Sequence, residues 1–435
     1  MRVLVENFGK IKSANVDIGG YTVFVGDNNS GKTYLMQLIY GMLDAFRFIQ
    51  YPSGIDLRTS LDADDLNEIT NKWLDENKEN IVLEAFKKNI PIGKLKVDFE
   101  GAKGSFRVKQ ITAEDYRQLR GDEAAIERIT DSVRSIFAIS KDEKIYSYCF
   151  FYNPNDMQSA SIEMLRSAVD NFLNRGLRAS NIYLPASRSG LMLTRPFVFT
   201  SQKNDNTVLT EDSRKARTSE NEFGLTQPVY DFLTFLQTHK TSEGKAPQYN
   251  SLISFINKNI IHGEMRKTDN ESLYQPEGSN EWLPPSITSS MVNEISPVMQ
   301  VITSIRDIQY VFYDEIETCQ HPTTQIQIAR LLNRMVNVGY RIIVSTHSDT
   351  MAVAINCAIA LNRIKSSQEE LQKIGYEKED VLKNPDIVHA YQFIQKDEGT
   401  VVEEIERFSS LGLNFDFSLF NEANKKIYNI YQALK

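Results

Sequence analysis

A glycine-rich segment near the start of the chain has residue types and spacing suited to binding phosphate groups. Residues 26–33 read Gly-Asp-Asn-Asn-Ser-Gly-Lys-Thr and fit the pattern G-x-x-x-x-G-K-[ST]. In this pattern the glycines allow backbone N–H groups to surround phosphate oxygens, the lysine reaches the β- and γ-phosphates, and the threonine hydroxyl coordinates Mg²⁺. The predicted binding residues are Gly26, Asp27, Asn28, Asn29, Ser30, Gly31, Lys32 and Thr33. Lys32 is also a catalytic candidate and Thr33 a metal ligand; the alternative is an accidental glycine-rich turn.

Two consecutive carboxylates far along the chain could complete such a site. Residues 308–313 form an apolar, strand-like run that ends at Asp314 and Glu315. We expect Asp314 to hold the water shell of Mg²⁺ and Glu315 to polarise an attacking water. An adjacent glutamate is typical of ATP-hydrolysing enzymes, and the Asn-Lys-x-Asp motif by which GTPases read the base is absent from the sequence. The alternative is a strand end that merely turns through two acidic residues.

A histidine follows the next predicted strand. Residues 341–346 are strand-like and lead into His347 and Ser348. If this strand ends at the same sheet edge as the phosphate loop and Asp314, His347 can hydrogen-bond a γ-phosphate or the attacking water. His347 is therefore a catalytic candidate together with Glu315 and Lys32, and a purely structural histidine is the alternative.

The elements that must position these residues alternate between strands and helices. Strands are predicted at 2–8, 11–18 and 21–25, and a helix over 33–48 follows the phosphate loop. Residues 51–180 differ from the preceding segment in containing charged, helix-like and mixed-charge stretches. They are predicted to form an inserted α/β lobe, with a hairpin made of 95–99 and 105–111. Further predictions are a strand at 181–185, helices at 223–239, 249–261 and 288–306, edge strands at 387–394 and 400–405, and a closing helix at 421–434.

Composition limits the classes of protein that the chain could be. It has 435 residues, is 41% hydrophobic and carries a net charge of −8. It can therefore bury a core, and disordered, collagenous and disulfide-stapled classes are excluded. The net charge disfavours a wholly basic nucleic-acid binder, although a local basic strip is compatible with it. Three cysteines without C-x-x-C spacing fit a reducing compartment. With no signal-peptide pattern and no membrane-length apolar run, we expect a cytoplasmic protein without a membrane partner.

Several motifs together resemble a known family of ATPases. They are Asn7-Phe8-Gly9 with Ile11, the segment GDNNSGKT, the segment YVFYDEIETCQHP and the segment STHS. The sequence resembles the ABC-type ATPase heads of the SMC/OLD-like group, and within it the compact "AAA family" ATPases, closest in type to the PtuA-like ATPases of prokaryotic anti-phage defence. The resemblance covers residues 1–50 and 280–395. It implies an α/β P-loop NTPase fold of ABC-ATPase type, with a mixed sheet flanked by helices and an inserted α/β lobe.

The same resemblance implies how the chain is divided and which cofactors it uses. The ATPase head would comprise residues 1–50 and 181–435, separated by the lobe at 51–180. ATP and Mg²⁺ are the implied cofactors, sandwiched head to tail between two copies of the chain. In such a homodimer or higher homo-oligomer, a signature motif of each copy contacts the γ-phosphate held by the other.

The resemblance also carries residue roles. The candidate signature is 286–291, where Ser289 and Ser290 open a helix and Met291 stands where relatives have Gly. Arg188, in Leu-Pro-Ala-Ser-Arg-Ser-Gly, is a candidate for a γ-phosphate or cross-dimer contact; a surface arginine paired with a carboxylate is the alternative. Glu317 and His321 are expected to line the loop through which the two copies communicate.

At the level of function, the resemblance implies an ATPase that senses or regulates a separate effector, a nuclease or toxin, in anti-phage defence. The lobe and the polar segment 200–221 are candidates for partner binding. The alternative is a DNA-repair or recombination ATPase that binds duplex DNA. A basic cluster could touch nucleic acid or simply be solvated; it consists of Arg195, Lys203, Arg214, Lys215 and Arg217. The chain has neither the heptad arms of SMC proteins nor the Leu-Ser-Gly-Gly-Gln signature of transporter subunits.

Overall fold

A nine-stranded mixed sheet organises the part of the chain that the computed structural model describes. The described residues are 1–49, 63–99, 106–112, 114–116, 135–141, 144–151, 180–194, 224–238, 240, 247–268, 272–364, 368–407 and 415–417. The strands are β1 Arg2–Phe8, β2 Ile11–Asp17, β3 Tyr21–Gly26, β4 Ile92–Asp98, β5 Phe106–Ile111, β6 Ser135–Lys141, β7 Lys144–Phe151, β8 Ser180–Leu184, β9 Gly263–Lys267, β10 Ser272–Pro276, β11 Ile308–Tyr313, β12 Arg341–Thr346, β13 Val388–Lys396 and β14 Gly399–Glu404.

Helices flank this sheet. They are α1 Lys32–Ala45, α2 Ala63–Phe86, α3 Gln227–Thr238, α4 Pro247–Ile256, α5 Ser290–Thr303, α6 Pro322–Asn337, α7 Asp349–Ala360 and α8 Gln368–Lys373. A five-residue π-helical segment, Asn257–Ile261, follows α4. No helix within the described residues is both long and apolar enough to cross a membrane.

The main sheet runs in the order β4-β1-β2-β14-β13-β3-β12-β11-β8. Its β3, β8, β11, β12 and β13 strands are parallel neighbours, whereas β1 pairs antiparallel with both β2 and β4. All six residues of β3 are buried, as expected for a parallel strand that is covered on both faces. The burial of β1 alternates instead, so that one of its faces meets the core. The structure has the predicted α/β class, with a mixed sheet flanked by helices.

Two apolar clusters cover the two faces of the sheet. Alternate residues of β3 divide between them, because successive side chains of a strand point to opposite faces. Phe24 lies in the cluster that includes the apolar side chains of α1 and α2. Val23 and Val25 lie in the cluster formed with α5, α6 and α7. The strand that leads into the phosphate loop is therefore fixed from both sides.

The predicted hairpin of 95–99 with 105–111 is wrong. β4 pairs with β1 at the edge of the main sheet, with Leu95 opposite Val5 and Val97 opposite Val3. β5 pairs with β6 in a separate three-stranded sheet completed by β7. The apolar residues of β4 alternate in phase with those of β1, and this shared buried face favours the long-range pairing over the local one.

The prediction that 387–394 and 400–405 are edge strands is also wrong. β13 lies between β14 and β3, and β14 lies between β13 and β2, so both are interior strands. They join the antiparallel part of the sheet to its parallel part. β13 is buried at Ala390 and Tyr391, and Phe393 pairs with Gly26 at the start of the phosphate loop.

Several predictions fall wholly or partly outside the described residues. They are the segment 200–221, the basic cluster named above, the closing helix at 421–434 and much of the lobe at 51–180. Within that last range, α2 and β4 pack on the edge of the main sheet, while β5, β6 and β7 form the separate sheet.

Candidate functional site

The glycine-rich segment connects the carboxyl end of β3 to the first turn of α1. Gly26 and Gly31 have φ values of +148° and +105°, and Asn29 has φ of +61°. A Cβ on Gly26 would lie 2.9 Å from the carbonyl oxygen of Phe393, which is closer than real Cβ atoms approach. Glycine is therefore required at residue 26 by both conformation and space. Ser30 is buried in this loop, whereas Asp27, Asn28 and Asn29 are exposed at its tip.

The start of α1 is open to an anion. Within the described residues no side chain caps this helix, and its first turn carries no acidic residue. Unpaired backbone N–H groups and the positive end of the helix dipole favour a negatively charged ligand at such a terminus. The phosphate loop and the helix start thus offer their N–H groups to the same region.

Lys32 is buried at the base of this loop. Its Nζ donates to the carbonyl oxygens of Gly26 and Asp27, at 2.7 and 2.8 Å. Burial lowers the pKa of Lys32 below its ordinary value, and nearby carboxylates, Asp314 and Glu315 foremost, act in the opposite direction. The ammonium group therefore lies in a desolvated, acidic setting in which a phosphate group would interact strongly with it.

Three hydroxyl groups converge on the carboxylate of Asp314. Thr33 Oγ1 and the Tyr183 hydroxyl each donate to Oδ2 at 2.8 Å, and the Ser345 hydroxyl donates to Oδ1. Thr33 and Asp314 are 281 residues apart in the chain. The predicted meeting of the phosphate loop with the acidic pair is therefore present in the structure, at the edge where β3, β8, β11 and β12 end.

Tyr183 and Ser345 were not among the residues singled out from the sequence. Tyr183 is fully buried in β8, and burial, aided by the neighbouring Asp314 carboxylate, raises its pKa well above the ordinary value. Its phenol therefore stays protonated and keeps its donor role. Ser345 could have been found because it lies two residues before His347 in the same motif, whereas no local pattern marks Tyr183.

Glu315 is held mainly through its backbone. Its φ is +45°, a left-handed conformation that is uncommon for residues other than glycine and recurs at functional sites. Its N–H donates to Ser345 Oγ at 2.9 Å, and its carbonyl oxygen accepts from Arg188 Nη2 at 3.1 Å. Glu315 is only partly buried, and its Oε2 accepts from the Thr318 hydroxyl at 3.5 Å.

His347 follows β12 and contacts Glu317. Its backbone N–H donates to Glu317 Oε1 at 2.8 Å, and its Nδ1 lies 3.1 Å from the same oxygen. His321, by contrast, begins α6 as its N-cap, accepting from the Thr323 N–H at 3.3 Å. His347 thus lies at the sheet edge that holds Asp314, as its place in the sequence predicts.

Arg188 does not have the predicted role. Its side chain has no exposed surface and forms an ion pair with Glu294 at 2.7 Å. Its Nη1 donates to the carbonyl oxygens of Pro185 and Asp314, at 2.7 and 2.6 Å. The predicted contact with a γ-phosphate or a second copy is therefore wrong, because the protein interior encloses the guanidinium. The alternative is a surface arginine that pairs with a carboxylate. Arg188 does pair with a carboxylate, but both side chains are buried.

Ser289 and Ser290 begin α5, as the sequence predicts. Ser289 is the N-cap, and its Oγ accepts from the Val292 N–H at 3.4 Å. Both serines are exposed. Within the described residues, no hydrogen bond joins either of them to the phosphate loop of the same chain.

Comparison with known families identifies the chain. Residues 1–352 match the family described as the AAA ATPase domain. The chain belongs to this family. No curated protein matches this AAA ATPase.

Among solved structures, the chain is similar to three SMC heads. The SMC head bound to the C-winged helix domain of ScpA is 14% identical, with 94% of this chain and 98% of that chain covered and a TM-score of 0.39. The Pyrococcus furiosus SMC head with an extended coiled coil, bound to the C-terminal domain of ScpA, is 11% identical, with 99% and 98% covered and a TM-score of 0.37. The Thermotoga maritima SMC head domain is 10% identical, with 93% and 98% covered and a TM-score of 0.33.

The oxygen donors of this AAA ATPase fit Mg²⁺ accompanied by nucleotide phosphates. The Thr33 hydroxyl and the Asp314 carboxylate are hard oxygen ligands that lie within hydrogen-bonding distance of each other. Mg²⁺ commonly takes one or two protein carboxylates and completes its shell with phosphate oxygens and water. Within the described residues, no group of three or more His, Cys, Asp or Glu side chains could hold a metal alone. The residues present therefore suit a metal that arrives together with ATP.

Proposed function

We propose that the chain is a Mg-ATP-dependent ATPase whose site combines the phosphate loop with Asp314, Glu315 and His347. The supporting observation is the 2.8 Å hydrogen bond from Thr33 to Asp314, which joins two motifs from distant parts of the chain. Hydrolysis rather than binding alone is proposed because a second acidic residue, only partly buried, follows Asp314 directly. Bound Mg²⁺ would neutralise the charge that develops on the β- and γ-phosphate oxygens.

Each residue has a distinct role in this proposal. Lys32 would exchange its two carbonyl acceptors for phosphate oxygens, and the N–H groups of residues 26–33 would surround the phosphates. Thr33 and Asp314 would hold the metal, the latter oriented by Tyr183 and Ser345. Glu315 would orient the attacking water and take its proton, and His347 would contact that water or the γ-phosphate.

The second part of the proposal is a head-to-tail homodimer. Ser289 and Ser290 are exposed at a helix start, where hydroxyl and N–H groups suit a γ-phosphate held by another copy. The chain's own phosphate loop makes no described hydrogen bond to them. In the dimer, Glu317 and His321 would lie near the interface, on the segment between β11 and α6.

We further propose that nucleotide-driven closing and opening of the dimer controls a separate effector, a nuclease or toxin, in anti-phage defence. This rests on the motif resemblance given above. The net charge of −8 disfavours the alternative, a DNA-repair ATPase with an extended basic DNA surface. Turnover that rises strongly on addition of duplex DNA would reverse this preference.

Phosphate release and nucleotide binding test the catalytic part. We expect Lys32→Ala to lose ATP binding, and Glu315→Gln to bind ATP but to hydrolyse it at least about 100-fold more slowly, since general bases contribute about 10²–10⁴-fold. Glu84→Gln is the matched control, because Glu84 is an exposed carboxylate on α2 that pairs only with Lys87 among the described contacts. Wild-type turnover equal to that of Glu315→Gln would contradict the proposal.

A further inference from the structure

Glu317, which the sequence placed in the loop between the two copies, contacts the catalytic candidate His347. Glu317 lies three residues after Asp314, and its side chain is only 8% exposed. Its Oε1 accepts from the His347 backbone N–H at 2.8 Å and lies 3.1 Å from the His347 Nδ1. One carboxylate oxygen thus faces two nitrogens of the same residue.

This arrangement favours one of the two ring nitrogens of His347 as the position of the proton. A backbone N–H can only donate, so the Glu317 oxygen that faces it must act as an acceptor. The protonated form of the ring nitrogen that lies 3.1 Å from the same oxygen is then favoured, because two lone pairs at that distance would repel each other. In the neutral ring this contact therefore favours the proton on Nδ1, which leaves the lone pair on Nε2. Within the described residues, Nε2 has no hydrogen-bond partner.

The Glu317 carboxylate also interacts electrostatically with Lys32 of the phosphate loop. It is among the charges that oppose the lowering of the Lys32 pKa, which places it within interaction range of that ammonium group. Its second oxygen, Oε2, is buried and has no hydrogen-bond partner among the described residues. Glu317 therefore lies within electrostatic range of Lys32 as well as in contact with His347.

We propose that Glu317 is a positioning residue that fixes the orientation and proton position of His347. Building on the proposed ATPase function, Glu317 presents Nε2 to the nucleotide, as an acceptor for the attacking water in the neutral ring and as a donor to a phosphate oxygen in the protonated ring. In this arrangement a carboxylate at Nδ1 orients the histidine ring, and Nε2 is the nitrogen that acts on the ligand.

The proton position can be measured in the nucleotide-free protein. Selective ¹⁵N labelling of the five histidines, with His347 assigned from His347→Ala, distinguishes the two tautomers by NMR. We expect Nδ1 to be protonated in the wild type. Glu317→Gln should retain this form, because the backbone N–H holds the amide oxygen in the acceptor position, whereas Glu317→Ala should shift the ring toward the Nε2-protonated form. An Nε2-protonated ring in the wild type, or no change in Glu317→Ala, would overturn the proposal.

Turnover supplies the second test. Glu317→Ala should lower kcat by about 10- to 100-fold with little change in the KM for ATP, as expected for loss of an orienting carboxylate. In a His347→Ala background, the same change should have almost no further effect, because Glu317 acts through His347. Additive losses would contradict this route of action.

A second carboxylate–histidine pair serves as the control. Glu404 Oε1 lies 2.9 Å from the Nδ1 of His389 on the paired strands β13 and β14. We expect Glu404→Ala to leave kcat unchanged. A loss of kcat in Glu404→Ala equal to that in Glu317→Ala would indicate that both changes act by general destabilisation and would contradict the positioning role. If the wild type hydrolyses no ATP, the proposed function fails, but the NMR measurement still decides the positioning role.

Discussion

The Asp314 side chain is held at both oxygens, because three hydroxyl groups donate to its carboxylate. Only Thr33 among these donors comes from the phosphate loop. Tyr183 and Ser345 belong to neighbouring strands and fix the carboxylate from the protein side. The residue that is proposed to hold Mg²⁺ is therefore oriented before any ligand binds.

The Tyr183 phenol tests this orientation. Tyr183→Phe removes the donor with little change in volume, and we expect half-maximal phosphate release to need about 10-fold more Mg²⁺, since partners of metal ligands typically contribute 10- to 100-fold in affinity. A Mg²⁺ titration at saturating ATP measures the shift. Tyr21→Phe is the control, because the Tyr21 hydroxyl is buried without a hydrogen-bond partner among the described residues. An unchanged Mg²⁺ requirement in Tyr183→Phe would show that Thr33 and Ser345 suffice to orient Asp314.

At the scale of elements, Arg188 connects the start of α5 to the end of β11. Its guanidinium pairs with Glu294 of α5 and donates to the carbonyl oxygens of Asp314 and Glu315. Glu294 also accepts from the Ser189 N–H at 2.9 Å. Arg188 therefore links the helix that begins with Ser289 and Ser290 to the strand end that carries the acidic pair.

Unfolding by urea tests the strength of this connection. Arg188→Met leaves the Glu294 charge buried and unpaired, so we expect a loss of about 3–5 kcal/mol in the free energy of unfolding. Adding Glu294→Met should recover part of the loss, because a buried ion pair replaced by apolar side chains is often tolerated. A single variant as stable as the wild type, or a double variant with fully additive losses, would contradict the coupling.

The sequence predicts local elements better than their neighbours in the sheet. β1, β2, β3 and α1 follow from alternation, helical spacing and the glycine-rich loop between β3 and α1, because these patterns are local. The partner of β4 and the interior place of β13 and β14 depend on which distant strand shares a buried face. For the same reason the motifs identify Lys32, Thr33, Asp314 and Glu315, but the burial of Arg188 and the role of Tyr183 require the folded chain.

At the scale of the whole molecule, the proposed sandwich divides each site between two copies. In this proposal, the phosphate loop and Glu315 would come from one copy, and Ser289 and Ser290 would come from the other. A variant that is defective in its phosphate loop should therefore be rescued by a copy that is defective only in its signature helix. This distinguishes a shared site from one that is complete within a single chain.

Mixing variants tests the division. Lys32→Ala and Ser290→Arg should each lack ATP turnover alone, and the mixture should partly recover it, because one of the two sites in the mixed dimer has both an intact loop and an intact signature. Phosphate release from equimolar mixtures measures the recovery. Mixing Lys32→Ala with Glu315→Gln is the control and should recover nothing, since both changes affect the same half-site. Failure of the first mixture, with dimers shown by sedimentation, would contradict the head-to-tail arrangement.

The pairing of Phe393 with Gly26 also has a consequence for how the protein is made. The strand that lies against the first glycine of the phosphate loop is synthesised more than 360 residues after that glycine. Asp314, which receives the Thr33 hydroxyl, also emerges long after the loop. During synthesis, the phosphate loop therefore acquires the groups that surround it only after Asp314 and then β13 have been made.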